Sequence, residues 1–302
     1  MPFASGEAAL PNSLSLQSRF RGWGNGLLGV AIFSGSLPAT RLAVIGFSPL
    51  LLTSARALIA GILACLMLAV TRQPWPNGRQ WRQLLVVAGG CVLGFPALTA
   101  LALQHITSAR SLVFVGLLPL STAVFAMVRG GERPAAAFWG FALAGAAAVA
   151  GFALARGAQS SALGDGLMVA AIVVCGLGYA EGAVLTRELG GWQVISWALL
   201  LCVPAAAVGT AVFWPADGLG MVGWQSWLGL GYVSVFSMLI GFVFWYRGLS
   251  LGGIASVGQL QLLQPFMGLG LASVVLGEPV APLMMVVTLI AVGSVAGAKR
   301  FA

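Results

Sequence analysis

Three glutamines lie in an apolar stretch near the C-terminal end of the chain, which reads GQLQLLQPF over residues 258–266. A buried amide is costly without a hydrogen-bond partner, and Pro265 lacks the N–H that would bond the Gln261 carbonyl in a helix. On a helix Gln261 and Gln264 share a face, whereas Gln259 points away from it. We predict that Gln261 and Gln264 face a central cavity together with the freed carbonyl. The alternative is that all three amides only tie neighbouring helices together.

A second set of candidates places polar groups inside other apolar runs. Glu181, close to Tyr179, lies where an ionisable group is expensive and usually faces a cavity. Both belong to the predicted binding set. Glu181 is a candidate for binding a substrate ammonium or a coupling proton, and the alternative is a carboxylate that reaches the interface or pairs with a nearby arginine such as Arg187. Arg110 is a candidate for binding a substrate carboxylate. The alternative is an arginine that extends its guanidinium into water. Asn25 completes the predicted binding set.

The sequence lacks motifs for catalysis and for tightly bound cofactors. It contains no GxxxxGKS/T phosphate loop, no HExxH zinc motif and no pair of buried carboxylates. The four cysteines form no CxxC pair and no cluster with histidine, so neither a metal site nor a disulfide is predicted. The basic residues form no stripe beside stacking aromatics, which argues against nucleic acid as a partner. We therefore predict that the protein is not an enzyme and uses no cofactor.

The composition indicates which elements hold these residues. Of the 302 residues, 59% are hydrophobic and only 7% are charged, and the mean hydropathy is +0.98. A soluble domain has about 25% charged residues, so the chain is predicted to be an all-α integral membrane protein. Apolar runs long enough to cross about 30 Å of hydrocarbon recur along its length. We predict ten transmembrane helices, at residues 23–40, 49–70, 83–104, 108–128, 134–156, 164–186, 193–214, 226–248, 253–277 and 280–298.

The basic residues and tryptophans predict how these helices are oriented. Basic residues concentrate at the cytoplasmic ends of membrane spans. With the N-terminus inside, eleven of the fifteen basic residues fall on the cytoplasmic side, so both termini are predicted to be cytoplasmic. Most tryptophans, Trp245 among them, fall near predicted span ends and are interpreted as an interfacial belt.

The chain also resembles itself at an offset of 146 residues, where an ordered series of less common residues coincides. The matched pairs include Thr40 with Thr186, Trp81 with Trp227, Pro119 with Pro265, Glu132 with Glu278, and Gly151 with Gly297. Each half then holds five spans, and because five is odd the second half enters the membrane from the opposite side. Inverted repeats are typical of transporters, in which one half rocks against the other around a central site. We predict a cytoplasmic tail at 1–22 and two repeats at 23–157 and 158–302.

This pattern carries a family resemblance. In each half a proline in the fourth span, Pro119 or Pro265, precedes a Gly-Glu pair and a glycine-rich fifth span. The pattern resembles the EamA repeat of the drug/metabolite transporter superfamily and is similar to amino acid exporters of the YddG type. The resemblance implies a secondary transporter that exports small metabolites across the bacterial inner (plasma) membrane by alternating access. Its expected cargo is amino acids, aromatic ones among them. The alternative is an efflux permease of the same fold for drugs, nucleobases or sugars. The two prolines are expected to be structural helix breaks.

Overall fold

The structure is a computed structural model that describes residues 12–102, 104–106, 114–154, 161–216, 218–276 and 282–302. Every regular element within these ranges is a helix, so the all-α class that the composition predicts is confirmed. The α-helices are α1 (Asn12–Ser34), α2 (Ser36–Ala43), α3 (Pro49–Val70), α4 (Gly78–Val87), α5 (Phe95–Ala102), α6 (Leu118–Gly130), α7 (Ala136–Leu154), α8 (Ala162–Leu189), α9 (Gly191–Val212), α10 (Trp224–Gly231), α11 (Gly241–Gly252), α12 (Ile254–Gly258), α13 (Gln264–Leu276) and α14 (Pro282–Phe301).

Six helical segments are long and apolar enough to cross a membrane. They are Gln17–Ala43, Pro49–Val70, Gly78–Ala102, Ala162–Leu189, Gly191–Val212 and Trp224–Gly252. Two shorter apolar segments, Leu118–Gly130 and Ala136–Phe152, overlap further predicted spans. The chain is therefore a multi-pass membrane protein, and the number of ten spans stays a prediction. The first helix begins at Asn12, within the segment predicted to be a tail.

Local sequence explains where two of the spans begin. Ser48 stands before α3, accepts a hydrogen bond from the Leu51 N–H, and is followed by Pro49, whose missing N–H costs nothing at the first helical position. At the start of α4 the Asn77 side chain accepts from the Gln80 N–H, and the Gln80 side chain accepts from the Asn77 N–H, each at 3.0 Å. This reciprocal capping box satisfies N–H groups that a helix start leaves unpaired.

Three segments depart from α-helical geometry, and one of them lies at a helix break that the sequence predicts. Ala88–Gly94 and Tyr232–Ile240 are π-helical, and Gln259–Leu263 is a 3₁₀-helix. A shift of 146 residues carries the first π-helical segment onto residues 234–240, which lie within the second. The two π-helical segments thus occupy matching places in the two halves of the chain. Such turns are frequent at functional sites.

Proline explains the 3₁₀-helix. Because Pro265 has no N–H, it cannot bond the Gln261 carbonyl four residues back. The Gln264 N–H donates to that carbonyl instead, three residues back, which is the bond of a 3₁₀ turn. The expectation that the Gln261 carbonyl is free for cargo is therefore wrong. Pro265 is the second residue of α13 as Pro119 is of α6, and a shift of 146 residues superimposes the bounds of these two helices.

The helices of the two halves pack against each other in matched pairs. The first helix, α1, packs against α11, and α8 packs against the segment formed by α4, the first π-helix and α5. In the same way α6 packs against α8, and α13 packs against α1. The pairs α3 with α9 and α7 with α14 also join the halves. A large core of apolar side chains results, in which Trp245 and Tyr246 are completely buried. A second, smaller apolar cluster lies among α2, α3 and α10.

Candidate functional site

Tyr179 lies at the centre of a buried group of side chains that we call the Tyr179 cluster, made of Phe33, Tyr179, Phe242, Trp245 and Gln261. Tyr179 stands on α8 and accepts a hydrogen bond at its hydroxyl from Nε2 of Gln261, at 3.1 Å. The Trp245 indole meets the Tyr179 ring edge-on, with 5.5 Å between ring centroids. Phe33 lies edge-on to Phe242 at 5.1 Å and to Trp245 at 6.2 Å. The cluster thus combines helices α1, α8 and α11 with the 3₁₀ segment.

Two polar atoms of the Tyr179 cluster have no hydrogen-bond partner among the described residues. They are Nε1 of Trp245, which is a donor, and Oε1 of Gln261, which is an acceptor. Trp245 is 0% exposed and Gln261 is 5% exposed. Because buried polar groups are nearly always hydrogen-bonded, each of these atoms is a candidate point of contact for a small molecule or water. The site therefore offers one donor and one acceptor beside aromatic rings.

Gln259 makes a second link between the 3₁₀ segment and the rest of the bundle. It is 0% exposed, and its Nε2 donates to the Pro119 carbonyl at 3.5 Å. This contact joins the 3₁₀ segment to α6. Its Oε1 has no hydrogen-bond partner within the described ranges. Gln259 therefore ties two helices with one atom and keeps a free acceptor with the other.

Thiols and a second tyrosine lie next to the Tyr179 cluster. The Tyr246 hydroxyl donates to Sγ of Cys91 at 3.4 Å, and that thiol lies 3.9 Å from the Cys175 carbonyl, to which it donates. Sγ of Cys202 lies 4.0 Å from the Ala88 carbonyl. All the cysteines are free thiols, and no group of three metal-ligating side chains occurs in the part of the chain that the structure describes. These thiols act as weak hydrogen-bonding groups in the core.

Glu181 forms an ion pair with an arginine, as one of its two predicted roles requires, although not with Arg187. Its carboxylate accepts two hydrogen bonds from Arg129, from Nε at 2.6 Å and from a terminal nitrogen at 2.9 Å. The Glu181 side chain is 1% exposed, whereas that of Arg129 is 47% exposed. The partner is therefore Arg129, on α6, and not Arg187. Glu181 also stands about 200° around the helix from Tyr179, because each residue turns about 100°; the pair therefore projects from a different part of α8 than Tyr179 does.

Two further carboxylates join the halves of the chain near this ion pair. Glu132, directly after α6, accepts from the Ile254 N–H at 2.6 Å and from the Ala255 N–H at 2.8 Å. It therefore caps the start of α12, where the backbone N–H groups have no partner within the helix. Glu188, at the end of α8, pairs with Arg79 and accepts from Nε2 of Gln80 at 3.1 Å. We call these three contacts the carboxylate ties: Glu181 with Arg129, Glu132 with α12, and Glu188 with α4.

A cavity of about 280 Å³ lies at the C-terminal end of α1, away from the carboxylate ties. Its walls come from both halves of the chain: Gly35, Pro38, Ala39, Leu42, Leu228, Gly229, Tyr232 and Leu271. The Tyr232 hydroxyl donates to the Ile32 carbonyl at 3.0 Å, so this polar group is already bonded. The cavity is mostly apolar and has the size of a small metabolite.

Asn25 and Gln264, two further predicted site residues, make hydrogen bonds outside the Tyr179 cluster. Asn25 donates from its amide to the Arg21 carbonyl at 2.7 Å, one turn back on its own helix. Gln264 is half-buried, and its carbonyl accepts from the Ser34 hydroxyl at 3.3 Å. Arg110 lies outside the described residues. Of the predicted set, the structure thus brings together Gln261 and Tyr179.

Sequence reasoning missed the indole of Trp245 and the guanidinium of Arg129. Trp245 was interpreted as interfacial from its place near a predicted span end, which is wrong because it is 0% exposed. Its neighbours Phe242 and Tyr246 could have indicated a buried aromatic face, since Phe242 stands three residues before Trp245 and four before Tyr246, and such spacings share a helix face. Arg129 lies 52 residues from Glu181, and such a pairing becomes visible only once the helices are packed.

Buried polar groups without partners, held between helices of a multi-pass membrane protein, are characteristic of proteins that move small molecules. Comparison with known proteins agrees with that class. Residues 21–154 and 162–298 each match the EamA-like transporter family, so the family pattern occurs twice in the chain. The chain belongs to the EamA-like transporter family, and the resemblance predicted from its sequence is confirmed.

Individual relatives place the chain more closely within that family. It is 61% identical over 281 residues to a protein of Bacillus subtilis (strain 168) described as "Uncharacterized transporter YdeK", and the match covers 93% of this chain and 98% of that protein. A solved structure described only as "Crystal structure of protein" has a TM-score of 0.79 at 21% identity, and the match covers 93% of this chain and 99% of that one. This second likeness concerns the fold alone. The chain is thus a membrane transporter of the drug/metabolite superfamily.

Proposed function

We propose that this transporter exports amino acids, and aromatic ones in particular, across the bacterial plasma (inner) membrane by alternating access. The observation that carries the proposal is the pair of unpaired atoms in the Tyr179 cluster, Nε1 of Trp245 and Oε1 of Gln261. They lie among the rings of Phe33, Tyr179 and Phe242. The steps below follow a cargo molecule from recognition to release.

Recognition needs complementary partners for the two ends of an amino acid. The Trp245 N–H is a donor that suits a carboxylate, and Oε1 of Gln261 is an acceptor that suits an ammonium. A zwitterion has no net charge, so neutral dipoles can bind it without an unpaired charge in the core. The aromatic rings supply an apolar wall for the cargo side chain, which favours aromatic cargo because ring pairs add to simple burial.

Alternating access requires two halves that move against each other. The two matches to the EamA family, the coincidence of α6 with α13 at an offset of 146 residues, and the corresponding π-helical segments support a repeat. The exchange of packing partners between halves supports an approximate two-fold relation between them. We propose that the repeats are inverted, with five spans each, and that both termini are cytoplasmic.

The carboxylate ties and the cavity suggest which side is closed. All three ties join the first half of the chain to the second, and they lie at the ends predicted to be cytoplasmic. The cavity of about 280 Å³ lies at the end predicted to face outward. We propose that the ties form a cytoplasmic gate. Opening this gate separates Arg129 from the buried Glu181 carboxylate, a costly step unless a proton or the cargo ammonium replaces the guanidinium.

A second candidate, export of a neutral metabolite such as a nucleobase or sugar, is favoured by one observation. In the described part of the Tyr179 cluster no side chain carries an unpaired charge, since Arg129 and Glu181 neutralise each other elsewhere on α8. A planar neutral molecule with one acceptor and one donor would satisfy the same two atoms. A binding measurement distinguishes the two candidates.

The proposal is tested by thermal stability of the purified protein with amino acids, nucleosides, nucleobases, sugars and cationic dyes. A ligand that binds only the folded protein raises its melting temperature. We expect aromatic amino acids to raise it and expect Gln261→Leu to weaken that binding roughly three- to tenfold, the value of one hydrogen bond. Gln225→Leu is the matched control, since Gln225 is exposed and away from the cluster. Stabilisation by nucleobases or sugars and not by amino acids would support the second candidate instead.

A further inference from the structure

A second, smaller pocket lies at the end of the bundle where the first and last helices meet. It has a volume of about 120 Å³ and is lined by Arg19, Phe20, Trp23, Ser256 and Lys299. The first three residues stand on α1, Ser256 on α12 and Lys299 on the last turn of α14. The pocket is separate from the Tyr179 cluster and from the cavity near Tyr232, and neither the transport proposal nor the family gives it a role.

The two cations of this pocket are positioned but not neutralised. The Lys299 ammonium lies 4.4 Å from the centroid of the Trp23 ring and 5.4 Å from that of Phe20, so two aromatic faces fix its place. Neither Lys299 nor Arg19 forms an ion pair with a residue that the structure describes. Glu132 is the carboxylate on the neighbouring element, and both of its oxygens are occupied by the N–H groups at the start of α12. Among the residues that the structure describes, nothing therefore compensates the positive charge of this pocket.

The position of the pocket indicates which anion would reach it. Phe20 is 68% exposed and lies near the beginning of the membrane-length segment Gln17–Ala43. An exposed phenylalanine, a tryptophan and two basic residues at the end of a span are the composition of a membrane interface, where headgroup phosphates lie. Arg21 and Arg300, which are also exposed, add positive charge nearby. A soluble anion would need none of the apolar surface that Phe20 and Trp23 present.

From these observations we infer that the pocket binds the phosphate of an anionic phospholipid, with Arg19 and Lys299 on the phosphate and Phe20 and Trp23 against the glycerol and upper acyl chains. The pocket is built from α1, α12 and α14, so a bound lipid ties the first helix to the last. The inference depends on the membrane location of the chain and not on the identity of its cargo.

Native mass spectrometry of the protein in neutral detergent tests this inference, with phosphatidylglycerol, phosphatidylcholine and glycerol 1-phosphate as probes. We expect phosphatidylglycerol to bind in preference to phosphatidylcholine. A basic residue near a membrane surface contributes about 1 kcal/mol, or about fivefold in affinity. The double variant Arg19→Gln/Lys299→Gln should therefore bind phosphatidylglycerol roughly 25-fold more weakly, while Lys299→Arg keeps most of the affinity. Arg82→Gln, which removes an exposed arginine at another helix end, should bind like the unaltered protein.

Three results would overturn the inference. Equal binding of both phospholipids would mean that the phosphate charge is not recognised. Unchanged phosphatidylglycerol affinity in the double variant would place the lipid elsewhere on the protein. Equally tight binding of glycerol 1-phosphate would identify a site for free phosphate esters rather than for lipid. Because all altered side chains are exposed, the variants are expected to fold, and their melting temperatures without lipid verify this.

Discussion

Under the proposed function, the amide of Gln261 serves both structure and cargo. Its Nε2 is committed to the Tyr179 hydroxyl at 3.1 Å, which fixes the orientation of the amide. Its Oε1 then points to a fixed place without a partner among the described residues. A buried acceptor that is held in this way costs free energy until a donor reaches it. Cargo binding would recover that free energy, so the residue favours the loaded state.

Loss of the ion pair between Arg129 and Glu181 is expected to destabilise the protein. Arg129→Ala leaves the Glu181 carboxylate buried without its partner, so we expect a lower melting temperature. The loss should fall below the roughly 3–5 kcal/mol of a fully buried pair, because Arg129 is half-exposed and solvent screens it. Adding Glu181→Gln to Arg129→Ala removes the unpaired charge and should restore part of the stability. If the double variant melts below Arg129→Ala, the carboxylate is not the source of the loss.

At the scale of residues, the sequence could indicate which polar groups are unusual but not which groups they meet. Gln261 was recognisable because an amide in an apolar run is costly. Its partner Tyr179 is 82 residues away, and no local spacing encodes that contact. Trp245 shows the opposite failure, since its place near a span end suggested the interface whereas packing against Phe33 and Tyr179 buries it.

The short helix α12 illustrates how one element depends on another. It has only five residues and begins after Gly253, whose φ of +92° is a conformation that favours glycine. No side chain at Gly253 can cap it, and Glu132 supplies the missing acceptors from the first half of the chain. The carboxylate also carries the negative charge that suits a helix N-terminus. The start of α12 and of the 3₁₀ segment after it is therefore fixed by a residue 122 positions away.

The cap provides a prediction at this scale. Replacement of Glu132 by Ala should free the Ile254 and Ala255 N–H groups and destabilise α12 by about 0.5–2 kcal/mol, the usual worth of an N-cap. Hydrogen exchange of peptides that cover residues 252–260 should become faster, with little change in α3 or α9. Glu132→Gln retains an acceptor and should give a smaller effect. Unchanged exchange at 252–260 in Glu132→Ala would show that the carboxylate does not hold this element.

The bounds of the helices were largely accessible from the sequence, whereas their internal geometry was not. The span predicted at 49–70 coincides with α3, because Ser48 and Pro49 start it and polar residues follow its end. The 3₁₀ segment follows from Pro265, a break that the sequence does indicate. The two π-helical segments contain no proline and were predicted as ordinary helix, and no local pattern records them.

At the scale of the whole molecule, packing follows the repeat that the sequence suggested. Several contacts between a helix of the first half and one of the second have a counterpart with the halves exchanged, as with α1 on α11 and α8 on the segment from α4 to α5. The Tyr179 cluster lies between these helices, and the carboxylate ties lie towards one end of them. Composition and family pattern were sufficient for the class of protein. They could not specify the cargo, because the two unpaired atoms on which the proposed recognition rests become apparent only in the packed bundle.

Transport by the purified protein in liposomes is the most direct test of the central claim. Liposomes loaded with unlabelled phenylalanine should accumulate labelled phenylalanine from outside, without ATP, because exchange needs only a carrier that opens alternately to each side. Protein-free liposomes should accumulate none, Gln225→Leu should match the unaltered protein, and Gln261→Leu should exchange more slowly while retaining its melting temperature. Absence of exchange for every amino acid, by protein that remains folded in the liposomes, would contradict the account.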